Sequence, residues 1–289
     1  MKVSRILLLL LCLTGSPGTA IIFAQSPEHT YSFALEQMKE GNYDQAVKLL
    51  KRVRYFDLEN QFPLTFSLLA ECFYQKSDFT NAYYYYDLAL IQSGSDSLSV
   101  CYSIRKAECK LFTHDYHEAL IELFSANPRG DRDQTDAVNT LFGITYFYLK
   151  DLEKSKDYFI KSVDKNNDYI DSIHFYFKKI EQIGNRYNPA TARLLSLFLP
   201  GSGQIYSGEV KEGINSLFLT TGLLFTGIAL SGSISAIDAT IIILPWFQRY
   251  YSGGYQKAFK LAGEKQARRM NEQLVALIKM IDSNQNSTK

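Results

Sequence analysis

Apolar and polar positions along the chain follow two regimes. Up to about residue 167 the apolar residues recur at helical spacing in blocks of 36 or 37 residues, and beyond residue 190 they merge into long uncharged runs. The clearest pair of blocks is AECFYQKSDFTNA (Ala70 to Ala82) and AECKLFTHDYHEA (Ala107 to Ala119), offset by 37 residues. Both read Ala-Glu-Cys, then after a spacer Asp, an aromatic and Ala. The second half returns as GNYDQAVKLL from Gly41 and as KDLEKSKDYF from Lys150, where Leu152 and Ser155 replace the aromatic and the alanine. Four units emerge, beginning near Pro27, Pro63, Val100 and Asp136. Each predicts a helix, a turn and a second helix. Ala34, Ala70, Ala107 and Gly143 keep the first helix small where the second approaches, and Ala46, Ala82, Ala119 and Ser155 answer them. Tyr43, Phe79, Tyr116 and Leu152, with Leu50, Tyr86, Leu123 and Phe159 further on, supply the filling between helices.

This pattern resembles the tetratricopeptide repeat, a helix-turn-helix unit that stacks into a solenoid. The resemblance covers about half the chain and implies an all-α fold with about four helix pairs over residues 25–167. It also implies a concave surface on the first helices. The positions mapped to that groove are Tyr31, Glu71, Tyr74, Glu108, Leu111, Ile144 and Phe147, with Leu35, Ser67, Ile104 and Thr140 beside them. An aromatic and aliphatic groove with two acids fits an extended peptide or an amphipathic helix of a protein partner. It lacks the basic cluster that clamps a terminal carboxylate. The alternative occupant is a following helix of the same chain. The run YYYY, Tyr83 to Tyr86, looks like a ligand platform, but one helix turns successive rings in different directions, which favours packing.

A closing helix and linker are expected at residues 168–189, and a membrane domain at 190–251. Gly213 to Ile237 carries no charge and is long enough to span a bilayer. Spans are expected at about 213–231 and 233–250, the second carrying Pro245 and ending in Trp246, Arg249, Tyr250 and Tyr251 as an interfacial anchor. The uncharged segment 194–208 is interrupted by Pro200, Gly201 and Gly203, which predicts a short re-entrant or surface-lying hairpin. The all-α chain thus gains a membrane domain of two or three hydrophobic segments.

LFLPGSGQIYSGEVKEG is not a phosphate loop, because Tyr206 stands where a dinucleotide fingerprint needs its third glycine, and Glu209 and Val210 follow Gly208. Pro200, Gly201, Gly203, Gln204, Tyr206, Gly208 and Gly213 instead match the Pro-Gly-x-Gly-Gln-x-Tyr segment of small bacterial membrane domains. The stretch is similar to an uncharacterised family of Bacteroidetes envelope proteins (the DUF5683 type) and, more distantly, to the TM2 domains. That likeness implies membrane residence. Residues 252–289 read as an amphipathic basic tail, with Phe259, Ala262, Met270, Leu274, Leu277 and Ile281 along one side, suited to anionic headgroups or to a partner helix.

Residues 1–24 have the charged start, apolar stretch and small cleavage residue of an export signal, which places the repeats outside the cytoplasm. The basic residues after Arg249 favour a cytoplasmic tail, and an exported array with a cytoplasmic tail needs an odd number of crossings. Thirty-one basic against 30 acidic residues leave no bulk attraction to nucleic acid. Cys72, Cys101 and Cys109 are an odd set once the signal is removed, and are expected as free thiols. His114, His117 and Cys109 straddle a turn and read as surface histidines, not metal ligands. No catalytic constellation and no cofactor motif stands out. The expectation is a non-enzymatic adaptor tethered in the bacterial inner membrane with periplasmic repeats, touching a protein partner and lipids. The rival is a transport or lipid-handling component in which Gln204, Tyr206 and Asp238 meet a solute.

Overall fold

The computed structural model describes residues 26–128, 131–163 and 167–287. The export signal and Cys12 lie outside the described residues. Among those described every regular element is helical, and they fall into two compact units divided between Leu141 and Phe142.

The first unit holds α1 (Pro27–Lys39), α2 (Tyr43–Phe56), α3 (Thr65–Gln75), α4 (Phe79–Gln92), α5 (Asp96–Phe112), α6 (Tyr116–Ser125) and the start of α7 (Arg132–Tyr148). Successive helices from α1 to α6 pack on one another. The small residues sit where the sequence puts them: Ala34, Ala46, Ala70, Ala82, Ala107 and Ala119 are fully buried. Leu50, Tyr86 and Leu123 fill the space beside them.

The turns repeat in a way that composition does not announce. Gly41, Ser77, His114 and Lys150 all adopt the left-handed conformation, with φ of 78°, 59°, 63° and 66°. Only the first is the residue that does so without steric penalty. Each closes a double hydrogen-bonded helix end, in which the next residue's N–H reaches back to the carbonyl of Gln37, Phe73, Lys110 or Tyr146. That next residue is Asn42, Asp78, Asp115 or Asp151, and it starts the following helix. The Asp78 and Asp151 carboxylates accept from Asn81 N–H and Lys154 N–H, so one residue ends a helix and caps its neighbour. This double duty accounts for the Asp at 78 and 151, whereas Asp115 ends its helix without a side-chain cap bond.

The second unit holds the end of α7, then α8 (Leu152–Lys161), α9 (Asn167–Arg186), α10 (Pro189–Phe198), α11 (Ser202–Tyr206), α12 (Val210–Ser231) and α13 (Ala236–Ser287). Its core joins Phe147 and Phe159 to Ile173, Phe177 and Ile180 of α9 and to Met270, Leu274, Leu277 and Ile281 of α13. The last four recur at alternating spacings of four and three, the seam of two helices packed side by side. Of the two roles open to the tail, the structure shows helix pairing: its apolar side is buried on α9 and within the unit's core. Only Phe259 of that side remains exposed.

One helix among the described residues, Val210–Ser231, is long and apolar enough to cross a membrane. Its 22 residues measure about 33 Å against a hydrocarbon core of about 30 Å. The second expected span is the first third of α13, a 52-residue helix whose apolar run is cut by Gln248 and Arg249. From Ala239 to Phe247, between Asp238 and Gln248, that run measures about 14 Å. Pro245 lies inside the helix without ending it.

Candidate functional site

Two sets of residues were expected to carry function, and the structure gives them different surroundings. In the first unit Tyr31, Glu71, Tyr74, Glu108 and Leu111 are all partly buried on α1, α3 and α5. The two acids are not free to meet a ligand's cation. Glu71 accepts from the buried Tyr86 hydroxyl at 2.8 Å and from Gln75 at 2.7 Å. Glu108 accepts from Tyr74 at 3.2 Å and from Arg105 at 3.0 Å, and the Arg105 guanidinium lies 5.1 Å from the Tyr74 ring centre. Burial, then donation to Glu71, holds the Tyr86 phenol protonated far above its ordinary range. Tyr74 with Arg105 and Glu108 joins the second repeat to the third, and the other contacts hold each acid within its own repeat, leaving Tyr31, Tyr74 and Leu111 as the surface's apolar contribution.

A second polar knot escaped the sequence reading. Lys106 is buried and pairs with Asp87 at 2.6 Å and Glu122 at 3.0 Å, while Tyr83 donates to Glu122 at 2.7 Å. It links α4, α5 and α6. Nothing in the local pattern marks Lys106, because its partners lie on other helices. The tyrosine run is divided between these knots: Tyr83 serves Glu122, Tyr86 serves Glu71, Tyr85 stacks on Phe73 at 5.3 Å, and Tyr84 is exposed.

In the second unit Phe147 is buried, and Ile144 packs against the same cluster, which Met270, Leu274 and Leu277 of α13 complete. The Tyr148 hydroxyl donates to Asn271 of α13 at 2.8 Å. These two groove positions therefore belong to the protein's own core, the occupant being a helix of the same chain.

The glycine-rich segment forms a tight joint of α10, α11, α12 and α13. Gly201 takes φ 90°, and a Cβ there would lie 2.1 Å from the Gly213 carbonyl oxygen. At Gly203 a Cβ would lie 1.9 Å from the Ala192 carbonyl oxygen, so α10 and α11 touch through backbone. Gln204 is fully buried; its side-chain oxygen accepts from Ser196 at 3.0 Å, and its amide donates to the Gly254 carbonyl at 2.8 Å. The Ser196 hydroxyl oxygen in turn accepts from Gly203 N–H at 3.0 Å. Gly208 takes φ 83°, and Lys265 donates to the adjoining Ser207 carbonyl at 2.8 Å. Tyr206 donates to the Asn185 carbonyl at 3.3 Å, and Pro200 is the residue that stops α10 before this joint. Gln204 and Tyr206 thus spend their polar groups internally. Asp238 is exposed in the first turn of α13 and is not gathered with them.

The thiols are free, with Cys101 exposed. Burial, and secondarily Glu71 and Glu108, pushes the Cys72 thiol up to about 11 and that of Cys109 to about 12, so neither is nucleophilic at neutral pH. His114 occupies its turn with Nδ1 2.9 Å from the Tyr116 hydroxyl, and no group of three metal-ligating side chains occurs among the described residues. Comparison with protein-family models and with curated proteins finds no match.

Proposed function

We propose that this chain is a non-enzymatic, membrane-tethered adaptor of the bacterial cell envelope, whose tetratricopeptide-like helix pairs bind a protein segment on the surface around Tyr31, Tyr74 and Leu111. The observation that carries the tether is the course of α13. One helix begins in an apolar hairpin with α12 and ends in the core beneath the last helix pair, so an anchor and a closing helix are the same element.

The same packing bears on topology. Residues before the hairpin (Ile173, Phe177) share a core with residues after it (Leu274, Leu277), so both flanks belong on one face of the bilayer. On this reading the crossings are even in number, α12 going in and α13 returning, and the return extends beyond the short uncharged run at the start of α13 to include Arg249. With an exported array this reading puts the tail on the periplasmic face as well, where the basic residues after Arg249 serve packing and the headgroup zone.

Photoreactive residues introduced at Ser67 and Leu111 in intact cells test the adaptor reading. It predicts a discrete protein adduct from both positions that disappears when Tyr31 and Tyr74 are changed to Ala. Adducts only to lipid, or none from either site in correctly inserted protein, would refute it.

A further inference from the structure

The hairpin contains a feature that the tether does not need. Between α12 and α13 lies a cavity of about 280 Å³ lined by Gln204, Glu212, Asn215, Ser216, Arg249 and Lys257 among others. The Ser216 hydroxyl is buried and has no hydrogen-bond partner among the described residues. A buried hydroxyl left unpaired is costly. Its neighbours Thr220 and Thr221 avoid that cost by donating to carbonyls one turn back. Gly254 stands opposite, where a Cβ would come within 2.8 Å of the Ser216 oxygen. Lys257 is paired with Glu212, whereas Arg249 has no ion-pair partner among the described residues, so the lining as described carries an uncompensated positive charge.

One turn further along the same two helices the lining turns apolar. A crevice of about 380 Å³ runs between Leu223, Gly227, Ile243 and Phe247. Its small residue Gly227 faces Ile243, eleven residues beyond the Ser216–Gly254 pair on each helix, or about 16 Å along the axis. A cationic, hydroxyl-bearing pocket continued by an apolar crevice matches an amphiphile in both charge and polarity.

We infer that the α12–α13 hairpin holds an anionic phospholipid of the surrounding bilayer, its phosphate against Arg249, Asn215 and Ser216 and an acyl chain in the crevice towards Gly227. Guanidinium geometry suits a phosphate, and the buried serine gains the acceptor it lacks. Gln204 anchors the pocket floor by holding Gly254, which gives the glycine-rich joint a second consequence.

The inference rests on the hairpin being lipid-embedded, and the test separates the two. Trp246, the only tryptophan of the chain, lies one turn before Arg249. The full-length protein is placed in phosphatidylcholine vesicles containing a minor fraction of lipid brominated on its acyl chains, either phosphatidylglycerol or phosphatidylcholine. Stronger quenching of Trp246 by the brominated anionic lipid is expected, with the excess lost in Arg249→Gln and unaffected by added inorganic phosphate. Equal quenching by both lipids, or an excess retained in Arg249→Gln, overturns the site while the embedded hairpin stands. Displacement by phosphate overturns the lipid and assigns the pocket to a free anion. Absence of quenching even in wholly brominated bilayers removes the embedded hairpin itself.

Discussion

The first unit and the α12–α13 hairpin use small residues for the same purpose, yet they invert each other. In the first unit alanines bring helices together around large buried apolar side chains such as Leu50, Leu69 and Leu123, and the buried charges are Asp57 and the paired Lys106 and Glu122, while some large apolar side chains such as Leu58 and Ile91 stay exposed. In the hairpin and its joint the buried residues are small or polar, among them Ala192, Ser196, Gly203, Gln204, Ser207, Gly213, Thr220 and Ala239, while Phe218 (72% exposed), Phe225 (70%), Ile237 (71%) and Ile241 (66%) face outward. Apolar area of that extent on an isolated surface is unfavourable in water at about 25 cal/mol per Å². Close small-residue contacts and buried polar pairs with an apolar exterior are how helices associate in lipid. The hairpin surface is therefore the one that the proposed membrane tether would present to lipid.

The comparison breaks first at Gly203. Gly203→Ala drives a methyl into the Ala192 backbone, which no side-chain movement relieves. The joint is expected to open, seen as loss of the cooperative thermal transition of the detergent-solubilised protein, whereas Gly184→Ala, whose Cβ meets nothing within 4 Å, leaves the transition in place. In the water-facing unit the corresponding weak point is electrostatic. Lys106→Met strands Glu122 in the core and is expected to cost about 3–5 kcal/mol, read from denaturant unfolding. Lys106→Met with Glu122→Leu should restore most of that loss, since an apolar pair of similar size replaces the ion pair. The smallest effect is a gain. Lys150→Gly removes the left-handed strain of a non-glycine turn residue and should stabilise by about 1 kcal/mol.

Much of the first unit was legible because its signals repeat. An alanine at 70 means little alone, but alanines at 34, 70 and 107 answered by 46, 82 and 119 define close helix contacts. The turns were less legible, since Ser77, His114 and Lys150 are not residues that advertise a left-handed conformation. Glu71 and Glu108 were read as groove acids because the hydroxyls of Tyr86 and Tyr74 that engage them lie on helices whose rotation the pattern leaves open. The stripe from Met270 to Ile281 was visible, but amphipathicity reveals a face and not what covers it. Gln204 was singled out by resemblance, while its bond to Gly254 spans 50 positions and has no local trace.

The central claim is that the hairpin sits in hydrocarbon, and Trp246, half exposed on its outer face, reports on this directly. In vesicles of lipid brominated on the acyl chains, Trp246 should emit at short wavelength, be strongly quenched by bromine and resist aqueous iodide. Long-wavelength emission that iodide quenches and brominated lipid leaves untouched would contradict the account.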